Sequence, residues 1–398
     1  MSRILWVTDE PPDRSRGGGS IRQANLLQRV AAAHEVHLVT TNAVDDTRAV
    51  ADVASTTLVG APPPAPPTTT ARRAVDLARA AVTGGPAGLR ATQGLRELML
   101  PSVLRLAADV DLVCVEHDWL APLGLHVRHV PTSLTLHYLP SQRADQWSQS
   151  APSALRRLRW AEEARRLRRL EADWVAGYDG VVVVSEDDRR DLGTGVLIPN
   201  GVDTDLVRPT PLPTTPSIVL TGSFNYQPNV DGATWFVREV LPRIREHVPD
   251  ASVALVGRQP TDEVRRLDDG AGVRLHADVP SVLPYLAAAK VAVVPLRVGS
   301  GTRLKALEAL AAGRPVVGTT IGLAGLDLDE HTAVAADDPA AFAAGVVRVL
   351  QDDALAAAMA SAGRAHVEAH FGWDRIGADY AAYLEDLATS AAQQSTSP

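Results

Sequence analysis

Hydrophobic positions in this chain gather into short, almost unbroken runs separated by amphipathic or polar stretches. That is the pattern of strands buried on both faces beneath covering helices. In the first half the runs cover 4–8, 35–40, 55–59, 112–115, 132–136 and 180–184. In the second half they cover 217–221, 252–256, 272–275, 291–295, 315–318 and, more weakly, 333–335. Two such sets, each interleaved with helical segments, predict two doubly wound α/β domains. The run RPTPLPTTP at 208–216 lies between the sets and is the expected boundary, giving domains over 1–207 and 208–370. APPPAPPTTT at 61–70 reads as a polyproline-type connection inside the first half, and the polar end, 389–398, is expected to be disordered.

Composition narrows the class. At 398 residues the chain exceeds the length at which one core stops growing, in keeping with two domains. A net charge of −8 argues against a general nucleic-acid binder. The single cysteine, Cys114, cannot form an internal disulfide and reads as a buried thiol in a cytoplasmic protein. Neither a secretory pattern nor an apolar run long enough to span a bilayer is visible. Residues 154–174 form an arginine-rich helical segment containing RRLRWAEEARRLRRLEADW. It reads first as a solvated surface helix whose arginines are partly balanced by Glu162, Glu163, Glu171 and Asp173, and second as a peripheral contact with anionic headgroups at the inner face of a membrane.

The stretch most informative about chemistry is 291–326, VAVVPLRVGSGTRLKALEALAAGRPVVGTTIGLAGL. It reads as strand, glycine loop, helix and second strand. A loop built from Gly299, Ser300 and Gly301 presents backbone N–H groups that bulky side chains would hide. Arg303 and Lys305, expected in the first helical turn, suit phosphate oxygens. Glu308, about one and a half turns on from Arg303, suits ribose hydroxyls. An ordinary crossover with solvated charges would use the same letters. In the first half, Gly17, Gly18 and Gly19 follow the first strand and would let a ligand approach the backbone. His137 lies at the C-terminal end of its strand, where open parallel sheets place ligand-binding groups. Glu116, His117 and Asp118 end another strand and are candidates for acceptor binding or proton handling.

These segments resemble the retaining glycosyltransferases of family four, the group 1 transferases, and in particular the branch reading PLR-x-GSGTR-x-K-x-LEA. The likeness extends through ILWVTDEPPDRSRGGGSIRQ, VVVVSEDDRRDL, IPNGVD, TGSFNYQPNVDGATWFVREVLP, VGRQP and FGWDRI, nearly the whole chain. It implies the GT-B class of α/β fold: two Rossmann-like domains facing across a cleft, with a C-terminal helix at 371–388 crossing back to the first. The second domain would hold a nucleotide sugar, UDP- or GDP-linked. The first would hold a hydroxyl acceptor: a saccharide, a lipid-linked sugar or a natural-product aglycone. Transfer of a hexosyl group would proceed with retention, without metal, and with no cofactor beyond the nucleotide sugar as co-substrate.

By resemblance, Arg303 and Lys305 stabilise the departing diphosphate, Glu308 holds the ribose and His137 faces the transferred sugar. Gly222, Arg258, Gly299, Ser300, Gly301 and Thr302 would complete the donor site. Two departures stand out. Ser300 replaces the glutamate usual eight residues before the ribose-binding one, and Gly222-Ser223-Phe224-Asn225-Tyr226 lacks the usual Arg and Lys. A sugar-nucleotide 2-epimerase of the same fold and a non-catalytic nucleotide-sugar binder are the rivals. An NAD-dependent oxidoreductase fits poorly, because RGGGSIRQ lacks G-x-G-x-x-G spacing.

Overall fold

The computed structural model describes residues 1–14, 18–41, 50, 52–60, 92–151, 153–299 and 303–395. The chain divides into two compact units, one formed by Met1–Ile198 with Ile376–Pro398 and the other by Pro199–Arg375. The break falls ahead of the proline run at 208–216, which is fastened to the second unit. Carbonyls of Thr210 and Pro211 accept hydrogen bonds from the buried Arg314, and Pro209 lies where a Cβ on Gly313 would stand. The linker at 61–70 lies outside the described residues.

The first unit is built on seven parallel strands: β1 Arg3–Val7, β2 Glu35–Thr40, β3 Ser55–Leu58, β4 Leu112–Glu116, β5 Thr132–Leu136, β6 Gly180–Val183 and β7 Val196–Leu197. Their order is β3-β2-β1-β4-β5-β6-β7. Ile4 stands opposite Val36 on one side and Leu112 on the other, so the central strands are buried on both faces and read as unbroken apolar runs. The helix Trp373–Ser395 joins this unit from Ile376 onward. Tyr380 meets Trp6 edge-on at 5.9 Å, and its hydroxyl lies 3.3 Å from Thr135 Oγ1. Tyr383 reaches Ser133 at 3.2 Å, and Glu385 accepts from the Ser2 hydroxyl at 2.7 Å. Residues 389–395, expected to be disordered, continue this helix, because alanine and glutamine sustain a helix even without apolar periodicity.

The second unit holds six parallel strands: β8 Ser217–Ser223, β9 Ser252–Arg258, β10 Val273–Ala277, β11 Val291–Val294, β12 Val316–Gly318 and β13 Ala333–Ala335. Their order is β10-β9-β8-β11-β12-β13. Alternation along β8 divides the core. Ile218 and Leu220 pack with Phe236 and Phe342, whereas Val219 packs with Leu307 and Leu310. At the C-terminal ends of β8 and β9, Gly222 pairs with Gly257. A Cβ on Gly257 would stand 1.7 Å from the Gly222 carbonyl oxygen, so only glycine allows the strands to close there. The chain enters and leaves the unit side by side, with Val202 N–H donating to Phe371 O at 2.8 Å.

Candidate active site

In the first unit, strands β4 and β5 end together and bring three of the expected residues into contact. Glu116, the last residue of β4, accepts a hydrogen bond from His137 Nε2 at 2.8 Å. His117 follows with φ 75° and ψ 144°, a conformation that side-chain-bearing residues rarely adopt. That backbone turns its ring between Trp119 and His137, stacked on each at 4.1 Å between centroids. In its own plane, His117 Nε2 meets the Glu10 carboxylate at 3.4 Å and the Gln23 side-chain amide at 2.9 Å. Trp119 is fixed in turn by donating from Nε1 to Asp9 at 2.9 Å. Gly18 and Gly19 are not a loop, as expected, but the first residues of the helix Gly18–Ala33. A Cβ on Gly19 would stand 2.7 Å from Glu10 Oε2, so the glycine makes room for the pair that holds His117. Gly17 lies outside the described residues.

The two stacked histidines differ in charge. Burial opposes charge on His117, but the hydrogen bond to Glu10 and the carboxylates of Glu116 and Asp9 outweigh it, and its pKa is raised. His137 is pushed down to about 4 by burial and by His117, despite the bond to Glu116. Burial works to raise the Glu116 carboxyl, yet His137, Arg22 and His117 together hold it below the usual range. His117 is therefore the ring that takes a proton first. His137 stays neutral, its Nε2–H committed to Glu116 and its Nδ1 left as an acceptor. Asp118 opens the short turn Asp118–Leu120, and burial raises its carboxyl against the pull of His117 and Arg143.

In the second unit, the expected donor residues converge at the C-terminal ends of β8 and β9 and beyond β11. Arg303 precedes the helix Leu304–Ala311 rather than lying in its first turn. Its buried guanidinium donates from Nε to Ile321 O at 2.8 Å. Gly299, at φ 149°, lies close against that group, since a Cβ there would stand 3.1 Å from Nη1. Lys305 Nζ donates to Asn229 Oδ1 and lies 3.2 Å from where a Cβ on Gly222 would be. Asn229 is oriented by donating to Ser223 O at 2.8 Å. Lys305 thus brings a cation to the end of β8, where GSFNY carries none.

Burial, with Arg303 next in weight, pushes Lys305 down to about 7 despite Glu308. Burial pushes Glu308 up to about 7 against the attraction of Lys305 and Arg258. Arg258, the last residue of β9, completes a group of three cations and one carboxyl. Ser300, Gly301 and Thr302 lie outside the described residues. Sequence reading missed Glu10, Gln23, Trp119 and Asn229. Asn229 alone carried a signal, as a polar residue just after the proline of YQPN, at the start of the helix Gln227–Trp235.

Two units, each built on one parallel sheet with charged groups gathered at strand ends, place the chain in the GT-B class of fold. The solved structure of sucrose-phosphate synthase from Thermosynechococcus elongatus superposes with a TM-score of 0.74 at 20% identity, covering 98% of this chain and 100% of that one, which shows the fold. Two family models match, Glycosyltransferase Family 4 over residues 16–206 and Glycosyl transferases group 1 over residues 215–352, and the chain belongs to that family. It is 28% identical over 428 aligned positions to the GDP-mannose-dependent alpha-(1-6)-phosphatidylinositol monomannoside mannosyltransferase of Mycobacterium tuberculosis, covering 96% of this chain and 98% of that protein. It is also 28% identical over 286 positions to the glycogen synthase of the same organism, covering 65% of each. The chain thus spans about 65% of the length of that relative.

Proposed function

We propose that the chain transfers a hexosyl group from a UDP- or GDP-sugar to a hydroxyl acceptor, with retention at the anomeric carbon and without a metal ion. The convergence of Arg258, Arg303, Lys305 and Glu308 in one unit carries this reading. The barrier to transfer lies largely in the charge that develops on the departing diphosphate, and cations fixed in a partly dry site stabilise it there. Lys305 and Arg303 take that role, with Arg258 beside them, and Glu308 accepts bonds from the ribose hydroxyls. These cations are also what makes a metal unnecessary. In the first unit, the Glu116–His137 pair is assigned to sugar recognition: His137 Nδ1 accepts from a sugar hydroxyl while Glu116 fixes the ring. Asp118 is assigned to the acceptor. The mannosyltransferase relative is GDP-mannose-dependent by name, so guanosine donors come first in a screen.

The test is thermal stabilisation by a panel of UDP-, GDP-, dTDP- and ADP-sugars in the presence of EDTA, repeated with Glu308→Ala and Arg303→Ala. A donor at 100 times its dissociation constant should stabilise by about 2.7 kcal/mol, a shift of a few degrees. One nucleotide class should give that shift and both variants should lose it. No shift with any donor, in folded protein, would overturn the reading. Release of free nucleoside diphosphate only when an acceptor is added separates a transferase from a non-catalytic binder and from an epimerase.

A further inference from the structure

The helix Ala154–Gly177 begins with a turn and a half, residues 153–159, that is exposed and tied to the preceding segment through Arg157, whose carbonyl accepts from Ser148 Oγ at 2.8 Å and whose Nη1 donates to Ala151 O at 3.3 Å. Leu155 is 78% exposed and Leu158 69% exposed, the largest apolar exposures in the described chain after Met1. At helical spacing the two share a face, flanked by Arg159 and Arg156. Solvated leucines of this kind have no role in the unit's own core.

Charge marks what they meet. Residues 154–169 hold seven arginines and two glutamates in a chain whose net charge is −8. Glu162 is occupied by Arg165 and Arg166, and Asp145 by Arg168. Arg156, Arg157 and Arg159 have no carboxylate partner among the described residues, and these three surround the leucines. Behind the turn, Trp147 and Trp160 pack at 4.6 Å, both half-buried, which suits rings that prefer a boundary between water and hydrocarbon. Arg143 lies over Trp147 and over Tyr138, the neighbour of His137, so the patch is continuous with the first unit's site.

We propose that this turn docks the protein on an anionic lipid bilayer, with Leu155 and Leu158 entering the headgroup boundary and Arg156, Arg157 and Arg159 meeting lipid phosphates. The helix lies at the surface, since among the described residues no helix is long and apolar enough to cross a membrane. This goes beyond the proposed transfer reaction and holds whichever donor the second unit takes.

Co-sedimentation of the full chain with vesicles tests it. Phosphatidylcholine vesicles with about one phosphatidylglycerol in three should bind the protein, pure phosphatidylcholine vesicles should bind it far less, and binding should weaken as salt rises from about 0.1 to 0.5 M. Arg156→Gln/Arg159→Gln should lower partitioning by roughly fivefold per arginine. Leu155→Ser/Leu158→Ser should lower it at least as much, and Leu155→Trp should raise it. All four positions are exposed, so the melting temperature of each variant should match the parent. Equal binding to neutral and anionic vesicles, no binding to either, or binding unmoved by both double variants would each overturn the proposal. Displacement from vesicles by about equimolar inorganic pyrophosphate would also overturn it, by showing a phosphate site instead of a bilayer surface.

Discussion

Lys305 and Glu308 are brought to neutrality from opposite sides, and donor binding should show it. Below pH 7 Glu308 takes up a proton and becomes a weaker, uncharged acceptor for the ribose hydroxyls; above pH 7 Lys305 loses the proton that attracts diphosphate. Affinity should therefore peak near neutrality and fall roughly tenfold per pH unit on each side, as calorimetric titration from about pH 5.5 to 8.5 would record. Glu308→Gln should abolish the acid limb, and Lys305→Met the alkaline one; a flat profile would rule out these roles. In the first unit, Glu116 is the counter-charge of the buried Arg22. Glu116→Gln keeps an acceptor for His137 but strips that charge, and should cost about 3 kcal/mol in urea denaturation. The sequence made Arg303, Lys305, Glu308 and His137 legible, because cations beside glycines and groups at strand ends are local patterns. Gln23 was not legible. It meets His117 across 94 positions of chain, a distance over which no local pattern operates.

Central strands were the easiest elements to foresee, since burial on both faces leaves an apolar signature, whereas the edge strand β3 is largely exposed and carries three polar residues in four. Strand β7, Val196–Leu197, is an exposed two-residue edge without that signature. The far end of the last helix was misread for a related reason: its polar letters hid alanine and glutamine, whose preference for helix needs no buried face. Glycines distinguish elements that cannot yield from side chains that can. Gly257→Ala would drive a Cβ into the Gly222 carbonyl, backbone against backbone, and should destabilise the second unit by about 3 kcal/mol or more. Gly19→Ala would meet side chains rather than backbone, the movable carboxylate of Glu10 at 2.7 Å and His117 Cε1 at 3.3 Å, on a helix that prefers alanine. It should leave the melting temperature within a few degrees while lowering kcat, because Glu10 can no longer hold His117. Equal losses of stability in the two variants would contradict that distinction.

For the whole molecule, the division into units does not follow the order of the chain. The second unit, Pro199–Arg375, has all its strands within one continuous stretch, whereas the first is closed by residues that come after it. A fragment of residues 199–375 should accordingly melt cooperatively by itself. A fragment ending at 375 should expose the surfaces that Tyr380, Tyr383 and Leu384 cover and bind a hydrophobic dye, or the assigned packing is wrong. The same arrangement bears on synthesis. As the ribosome extends the chain at about 5–20 residues per second, the first sheet is made and then waits on the order of 10–35 s for the helix that seals it. The unit begun first is finished last. During that interval Trp6 and the backs of β1 and β5 are open to chaperones, or to another nascent chain at the same stage on the same messenger.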